Sequence, residues 1–359
     1  MAANAAKQIR ERLREVKDPE IGRSIADLNM IRSVEVSEGR ATIQIALTVT
    51  GCPLSTRIRG EIEQKAKEVE GIREVEVHFT TMSDEERNQL NQQLRQGHAA
   101  QADPFPKTKV VAVGSGKGGV GKSTVTVNLA FALKSLGYSV AILDADVYGF
   151  SIPHLMGLTG VKPTVVGEMI MPPERDGVRM ISAGALYGED QPLVWRGPII
   201  SRMIQQFMTD VYWADPDLLL IDLPPGTGDA ALTVMQTLPK GNLLMVTTPQ
   251  SSAAHVAGRI GHMAEMVHFR LVGLIENMSY FVCDKCGERH YIFGQGESEK
   301  LARQLEIPVL GELPLQTEVR VCSDQGIPAV LVDDALCENY EQIAERLTAQ
   351  LGLRQRVVS

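Results

Sequence analysis

The sequence predicts an α/β protein in which a small α/β domain precedes a larger domain built on a doubly wound, mostly parallel sheet. The first observation is length, because 359 residues suit two domains better than one. The second is a change of pattern after residue 108, where near-continuous apolar runs alternate with helix-forming segments, as in parallel sheets covered on both faces. The third is a polar, proline-containing stretch between these regions. We therefore predict domains over residues 1–82 and 108–359, joined by a linker over 83–107.

The small domain is predicted to contain a first helix, a hairpin, a second helix and a third strand. Ile9, Leu13 and Val16 recur at helical spacing and indicate that the first helix is amphipathic. Apolar and polar residues then alternate on both sides of Glu38-Gly39, which is the pattern of a β-hairpin. The second helix and the third strand are expected at 54–69 and 75–79.

The linker begins with a helix signal and ends in an extended stretch. Ser83-Asp-Glu-Glu86 is a capping box, and the polar helix that it opens fades by Gly97. Pro104 and Pro106 then indicate a connection without regular structure.

Apolar runs predict the parallel strands of the larger domain, because strands buried on both faces lack polar alternation. At the end of the chain, the helix predicted over 338–351 carries Ile343, Leu347 and Leu351 on one face, which we expect to pack on the sheet. The predicted strands are 110–113, 140–143, 218–221, 243–246 and 271–275.

Composition argues against several classes of partner. A net charge of −8 and a pI of about 5.5 give no broad electrostatic footprint for nucleic acid. No apolar stretch approaches the roughly 18 residues of a membrane span. Glu11 and Glu15 interrupt the basic N-terminal segment, which does not suit a targeting peptide. We expect a cytoplasmic protein that binds neither nucleic acid nor membrane.

A glycine-rich segment between the first apolar run and a helix-forming segment predicts a phosphate-binding loop. Residues 116–123, Gly-Lys-Gly-Gly-Val-Gly-Lys-Ser, fit the pattern G-x-x-x-x-G-K-[ST] of P-loop NTPases. Glycines let backbone N–H groups converge on phosphate oxygens, and the helix N-terminus adds a favourable dipole. We expect Lys122 to neutralise the β- and γ-phosphates of ATP and Ser123 to ligate Mg²⁺. The predicted ATP-binding residues of this loop are Gly116, Lys117, Gly118, Gly119, Val120, Gly121, Lys122, Ser123 and Thr124.

Acidic residues follow two of the predicted strands. Asp222 ends the run 218–221, where a carboxylate would order the Mg²⁺ shell. Asp144 and Asp146 end the run 140–143, and we assign Asp146 the orientation of the attacking water. The stiff, glycine-punctuated segment 223–229 suits a loop that senses the γ-phosphate. Lys117, Lys122, Asp146 and Asp222 are the predicted catalytic residues.

Lys117 is a second lysine inside the loop and lies too early in it to do what Lys122 does. Phosphoryl transfer gains from a further cation at the γ-phosphate, often supplied by a partner subunit. The segment resembles the loop of the deviant Walker family (KGGVGKST), whose lysine reaches the nucleotide of the other subunit. The resemblance implies that this chain is a homodimeric ATPase in which Lys117 acts in trans.

Cys283 and Cys286 are the only closely spaced pair among the 5 cysteines. Cys-x-x-Cys followed by glycine is a turn that brings two thiolates onto one metal. Because a tetrahedral or cluster site needs about four ligands, either His290 and a distant group complete it or a second chain does. A dimer would bring two such pairs together as a Cys₄ site. Residue chemistry alone leaves zinc and an iron–sulfur cluster open, and no histidine is assigned a function.

Six segments of the larger domain together resemble the Mrp/ApbC-type iron–sulfur cluster carrier ATPases. This resemblance implies a [4Fe–4S] cluster bridged between two subunits by Cys283 and Cys286, contact of Asn277 with adenine, and ATP hydrolysis coupled to cluster transfer. Apo iron–sulfur proteins would be the recipients and cluster assembly factors the donors. The segments are 114–124, 144–149, 194–198, Asp222-Leu-Pro-Pro-Gly-Thr-Gly-Asp229, Glu276-Asn-Met278 and Cys283-x-x-Cys286.

The first domain resembles the small module of iron–sulfur assembly factors, through Asp18-Pro-Glu20 and the segment 48–53. Cys52 precedes a predicted helix, whose dipole would favour its thiolate. Cys52 is either an auxiliary residue that touches cluster, sulfur or partner, or a small core residue. Phe150 departs from the family pattern, in which proline usually follows Tyr-Gly. Cys322 and Cys337 lack ligand spacing and are predicted to be structural.

Two other functions fit part of these observations. A partitioning or positioning ATPase would share the Lys117 pattern, but it would need a basic patch or a basic terminal helix, and the last helix carries Glu338, Glu341 and Glu345. A scaffold stabilised by zinc at the cysteine pair would keep the same fold.

Overall fold

A computed structural model describes two compact units, the first formed by Met1–Ala102 with Thr164–Met171 and the second by Asp103–Pro163 with Pro172–Ser359. The residues described are 2–19, 21–48, 55–83, 85–87, 89–90, 105–184, 197–238, 241–354 and 356. Residues 91–104, which span most of the predicted linker, lie outside this range. The domain boundaries drawn from the sequence therefore stay predictions.

The first unit contains a sheet of three strands in the order β1-β2-β3, in which β2 is antiparallel to β1 and parallel to β3. Glu38 and Gly39 have φ values of 51° and 85° and form the turn of the predicted hairpin. Ile9 of the first helix and Leu13 of the following 3₁₀ turn are buried, as their helical spacing predicts, and Ile58 and Ile62 of the second helix are buried too. The elements are α1 (Ala2–Arg12), a 3₁₀ turn (Leu13–Glu15), β1 (Ile31–Ser37), β2 (Arg40–Leu47), α2 (Ser55–Lys67) and β3 (Glu74–Thr81).

Two further features complete the first unit. The predicted capping box is present, because the Ser83 N–H donates to Glu86 Oε2 at 2.8 Å and the Glu86 N–H donates to Ser83 Oγ at 3.2 Å. A short antiparallel hairpin that the sequence did not predict is formed by β6 (Thr164–Val166) and β7 (Met169–Met171).

The second unit is built on a sheet of eight strands, all parallel except the edge strand β8. Their order is β15-β12-β11-β4-β10-β5-β9-β8, so consecutive parallel strands are joined by helical crossovers. The predicted α/β fold class is confirmed. The strands are β4 (Lys109–Gly114), β5 (Val140–Asp144), β8 (Glu174–Arg175), β9 (Val178–Ser182), β10 (Leu218–Asp222), β11 (Asn242–Thr247), β12 (Arg270–Glu276) and β15 (Val309–Glu312).

Helices cover this sheet, and a small hairpin follows its strand β12 in the chain. The hairpin consists of β13 (Phe281–Val282) and β14 (Arg289–His290). The helices are α3 (Lys122–Ser135), α4 (Ile152–Leu155), α5 (Gly197–Asp210), α6 (Asp229–Thr237), α7 (Ser251–Met266), α8 (Glu297–Gln304), α9 (Thr317–Asp324) and α10 (Asp334–Gln350).

The last helix begins four residues before the predicted start because Asp333 caps it, accepting a hydrogen bond from the Leu336 N–H at 2.9 Å. Its apolar side chains, including Tyr340, Ile343 and Leu347, are buried in the same core as α3, as the sequence predicts. That face is therefore occupied within the fold. None of the helices in the described residues is both long and apolar enough to cross a bilayer.

Sheet register positions the polar residues of the site. Asp222, the last residue of β10, lies opposite Asp144 at the end of β5 and opposite Val113 near the end of β4. The segment that follows β4 and the acidic strand ends thus meet at one edge of the sheet, where α/β proteins bind ligands.

Candidate nucleotide and metal sites

The predicted phosphate-binding loop lies between β4 and α3, and at two of its positions only glycine fits without steric conflict. Gly121 has a φ of 80° at the N-terminus of α3, a conformation that favours glycine. A Cβ on Gly116 would overlap the backbone of Val256 and Ala257 in α7. The loop is thus held against a neighbouring helix while its N–H groups lie at a helix N-terminus, where anions bind.

Asp222 is the centre of the hydrogen-bond network under this loop. Its Oδ2 accepts from Lys122 Nζ at 2.6 Å and from Ser123 Oγ at 2.5 Å, and its Oδ1 accepts from Thr126 Oγ1 at 2.8 Å. Asp222 is fully buried and Lys122 is 6% exposed. An ion pair this deeply buried is retained only with full hydrogen bonding. The structure therefore brings together three side chains predicted from sequence and adds Thr126, which the sequence analysis missed.

Asp144 and Asp146 add further carboxyl groups beside Asp222. Among the residues that the structure describes, Asp144 Oδ2 and Asp146 Oδ1 are buried and have no hydrogen-bond partner. Burial, together with the neighbouring Asp222 carboxylate, raises the pKa of Asp144 well above its usual value, and burial also raises the pKa of Asp146. Asp146 Oδ2 lies 4.0 Å from Lys122 Nζ. Unsatisfied carboxylate oxygens beside a serine hydroxyl form the hard donor set that Mg²⁺ prefers.

Lys117 has a hydrogen-bond partner within its own chain. Its Nζ donates to Gln250 Oε1 at 2.6 Å, across 133 positions of sequence. Gln250 immediately precedes α7. Nothing in the sequence pattern around Gln250 indicates contact with the loop, so this residue was not predicted.

Asn277 follows β12 and contacts the phosphate-binding loop. Its Nδ2 donates to the Val120 carbonyl at 2.8 Å, beside Gly121. This hydrogen bond braces the loop, and the contact with adenine stays a prediction. The loop after Asp222 is also joined to the phosphate-binding loop, because the Gly226 N–H donates to the Ser115 carbonyl at 2.8 Å.

Cys283 and Cys286 lie in the turn between β13 and β14. The Cys283 N–H donates to the Glu288 carbonyl at 3.0 Å, and the Gly287 N–H donates to the Cys283 carbonyl at 2.8 Å. Gly287, with a φ of 72°, lets the chain turn back. Hydrogen bonds from the backbone N–H groups of Lys285 and Cys286 lower the pKa of the Cys283 thiol. The turn therefore favours a thiolate, which is the form that binds metal.

His290 lies beside the cysteine pair, which is one of the two ways of completing the site that the sequence leaves open. The candidate ligand atoms of Cys283, Cys286 and His290 all lie within 4.8 Å of one another. Strand pairing is the cause, because it sets His290 opposite Phe281, two residues before Cys283. Cys286 and His290 are exposed and Cys283 is partly buried.

The remaining cysteines differ in how far the structure describes them. Cys322 is 9% exposed in the hydrophobic core, and Cys337 Sγ lies 3.7 Å from Glu341 Oε1. Their structural role stays a prediction. Cys52 lies outside the described residues, so its two interpretations stay open.

Comparison with known families and curated proteins decides which class of P-loop protein this is. Residues 107–348 match the ParA family described as NUBPL iron-transfer P-loop NTPase, and residues 6–79 match the iron–sulfur cluster assembly protein family. The iron–sulfur cluster carrier protein of Mycobacterium tuberculosis (strain ATCC 25618 / H37Rv) is 43% identical over an alignment of 360 residues, and the alignment covers 97% of this chain and 93% of that protein. The chain belongs to the iron–sulfur cluster carrier family. The resemblance seen in the sequence is thereby confirmed.

One further relative and two solved structures are also similar to this chain. The iron–sulfur cluster carrier protein of Bacillus subtilis (strain 168) is 38% identical over 360 residues, covering 97% of this chain and 98% of that protein. A solved nucleotide-binding protein from Archaeoglobus fulgidus, in complex with ADP and with cobalt found, has a TM-score of 0.56 and 42% identity over 63% of this chain and 89% of its own. The septum site-determining protein MinD from Pyrococcus horikoshii, with Mg-ADP, has a TM-score of 0.53 but 22% identity, covering 68% of this chain and 98% of its own. This last similarity shows the fold alone, and the chain is a nucleotide-binding P-loop NTPase of the carrier family.

Proposed function

We propose that two copies of this chain hold one [4Fe–4S] cluster between them and transfer it to apoproteins, with ATP bound and hydrolysed at the dimer interface. One observation carries the proposal. A single chain of this carrier family presents two thiols in a preformed turn, Cys283 and Cys286, which is half of the usual cluster ligand set. A second copy supplies the other half.

In the proposed ATPase reaction, Lys122 neutralises the phosphates from within its own chain. Its ammonium leaves Asp222 for the phosphate oxygens, and Asp146 then orients the attacking water. Ser123 and Asp222 are the proposed Mg²⁺ residues, and the unpartnered oxygen of Asp144 fits the same ion. Bound Mg²⁺ would supply charge neutralisation at the phosphates.

Lys117 is proposed to act on the nucleotide of the partner subunit. Within one chain its ammonium is bound to Gln250, so it must exchange that amide for phosphate oxygens when two chains meet. A cation that arrives only on dimerisation couples hydrolysis to assembly, as a cation supplied by a partner does in other phosphoryl-transfer enzymes. The loops 144–151 and 222–229 would relax after hydrolysis and alter how the cluster is held.

The surface around the cysteine pair supports pairing of two chains. Val282, Tyr291 and Ile292 flank the turn and are 40%, 44% and 58% exposed. Apolar side chains gathered beside an incomplete ligand set suit a surface that a second protein covers. We assign that surface to the second copy, which brings the missing thiols.

The first unit is proposed to recruit partners. Its match to the iron–sulfur cluster assembly family supports assembly factors as cluster donors and apo iron–sulfur proteins as recipients. Cys52 is proposed as an auxiliary contact for cluster or sulfur. We further propose that the exchange takes place in the cytoplasm.

Anaerobic reconstitution tests the proposal. Wild-type protein incubated with iron and sulfide should take up about four irons and four sulfides per two chains, with the broad visible absorption of a [4Fe–4S] cluster. Cys286→Ala should lose that absorption while still binding ATP, because the phosphate-binding loop does not use this thiol. Cys322→Ala is the matched control and should keep the cluster. Failure of metal-free wild-type protein to take up iron and sulfide would rule out cluster carriage.

A further inference from the structure

The cysteine turn holds one donor more than the proposed bridging cluster uses. Four thiolates from two chains complete the coordination of the irons in a [4Fe–4S] cluster. The imidazole of His290 is therefore not needed as a cluster ligand. Yet His290 lies with its candidate ligand atom within 4.8 Å of both thiols. A third donor at this distance is unexplained by cluster binding.

We propose that His290 is a metal ligand and that Cys283, Cys286 and His290 of one chain form a site for a single thiophilic divalent ion such as Zn²⁺, Co²⁺ or Fe²⁺. The site goes beyond the proposed function, because it requires neither a cluster nor a second chain. Two thiolates and one imidazole balance the ion's charge and leave one coordination position open, as in metal sites that exchange ligands.

The distances fit such an ion with little movement. Metal–sulfur bonds of about 2.3 Å and metal–nitrogen bonds of about 2.0–2.1 Å in a tetrahedron separate the donors by roughly 3.5–3.8 Å. The three donor atoms are already within 4.8 Å of one another, and closure is left to side-chain rotation. Binding releases the thiol protons to solvent, which the exposed position of the turn permits.

The backbone is prepared for binding because the hairpin is fixed at its base. Tyr280, just before β13, is 8% exposed, and its carbonyl accepts from the Leu315 N–H at 2.7 Å. Arg289, next to His290, places its guanidinium 4.4 Å from the centre of the Tyr280 ring. This cation therefore packs on an aromatic face of the hairpin base. Little chain ordering remains when the ion binds, so the three donors act as a chelate.

The ion and the cluster need the same two thiols, so they exclude each other. An ion held by three donors within one chain does not depend on dimerisation, whereas the cluster does. His290 therefore increases the affinity for a single metal ion and not the affinity for the cluster. Removing its imidazole should weaken binding of the single ion and leave cluster binding unchanged.

Cobalt titration of the full chain under anaerobic, reducing conditions tests this inference. Wild type should bind about one Co²⁺ per chain with the visible bands of tetrahedral cobalt and thiolate-to-cobalt charge transfer. His290→Ala should bind at least about tenfold more weakly, since loss of even an outer partner of a ligand costs that much. His290→Cys, which restores a third donor, should recover affinity with stronger charge-transfer absorption. His262→Ala is the control, because His262 is 71% exposed and pairs with Glu265 on α7.

A competition experiment gives the second readout. Zinc added before iron and sulfide should block cluster formation in wild type and block it much less in His290→Ala. Cobalt bound at one per two chains, with affinity and spectrum unchanged in His290→Ala, would overturn the inference and leave the proposed carrier function standing. Cobalt binding that needs His290 in a protein that never takes up a cluster would sustain the inference and overturn the carrier proposal.

Discussion

The buried hydrogen bond between Thr126 and Asp222 allows a prediction whose size follows from the structure. Thr126 Oγ1 donates to Asp222 Oδ1 at 2.8 Å, and both residues are fully buried. Thr126→Val keeps the shape of the side chain and replaces the hydroxyl, which also lies 3.0 Å from the Lys122 carbonyl oxygen, by a methyl group. The substitution therefore leaves one oxygen of a buried carboxylate without its donor.

The expected loss of stability is that caused by removing a hydrogen bond to a charged group. Such a bond contributes about 1.5–3 kcal/mol to the free energy of unfolding, and the preserved volume adds little cavity cost. For a unit of this size, the change corresponds to a fall of roughly 3–12 °C in the midpoint of thermal unfolding. The loss should be largest in the nucleotide-free protein, where Asp222 has no metal ion nearby.

Scanning calorimetry of nucleotide-free protein in a metal chelator measures this change. Thr209→Val, near the end of α5, is the matched control, because the Thr209 hydroxyl is exposed and has Asp210 Oδ1 at 2.9 Å and the Gln205 carbonyl oxygen at 3.1 Å as acceptors. Its effect should stay within about 0.5 kcal/mol. In an Asp222→Asn background, where the acceptor is neutral, the effect of Thr126→Val should shrink to about 0.5–1.5 kcal/mol. An equal loss in both backgrounds would refute the assigned hydrogen bond.

Further predictions concern the acidic pair, the two lysine contacts and the cluster. The pKa of Asp144 is higher in the folded state than its ordinary value of 3.8. This carboxyl therefore does not reduce the free energy of unfolding below pH 3.8, and it reduces that free energy increasingly as the pH rises toward the folded-state pKa. Asp144→Asn should therefore stabilise the nucleotide-free protein by an amount that grows as the pH rises above 3.8, measured by calorimetry, and a pH-independent difference would contradict this assignment. Lys117→Ala should abolish ATP turnover while nucleotide affinity changes little, with Lys134→Ala near the end of α3 as control; undiminished turnover would remove the trans role. Gln250→Ala should raise turnover by up to about fivefold, since a hydrogen bond of about 1 kcal/mol no longer retains Lys117, and a fall in turnover would show that Gln250 assists catalysis instead. Cys283→Ala should lose the cluster in reconstitution but keep ATP binding, whereas loss of ATP binding would mean that the cysteine supports folding.

Much of the nucleotide site was predictable because local sequence fixes it. The strands β4, β5 and β10 are buried on both faces, so they appear as apolar runs, and the residues that end them meet at one sheet edge. Asp144 and Asp222 could be placed together for that reason. The short strands β6 to β9 were not predicted, because elements of 2 to 5 residues carry too little periodicity to read.

Thr126 and Gln250 were not predicted, and His290 was one of two alternatives, because their contacts are encoded in no local pattern. Thr126 lies on an apolar helix with no motif around it, and its contact with Asp222 arises only because β10 packs next to that helix in the fold. Gln250 meets Lys117 only because α7 lies against the phosphate-binding loop. His290 reaches the thiols through the pairing of two strands of 2 residues each, whose register cannot be read from so short a sequence.

Native mass spectrometry of the anaerobically reconstituted protein tests the central proposal most directly, because it counts chains and cluster atoms in one particle. We predict a mass of two chains carrying a single [4Fe–4S] cluster, and cluster-free chains for Cys283→Ala. A cluster retained on a single chain, or a protein that stays monomeric with cluster and ATP both supplied, would contradict the account.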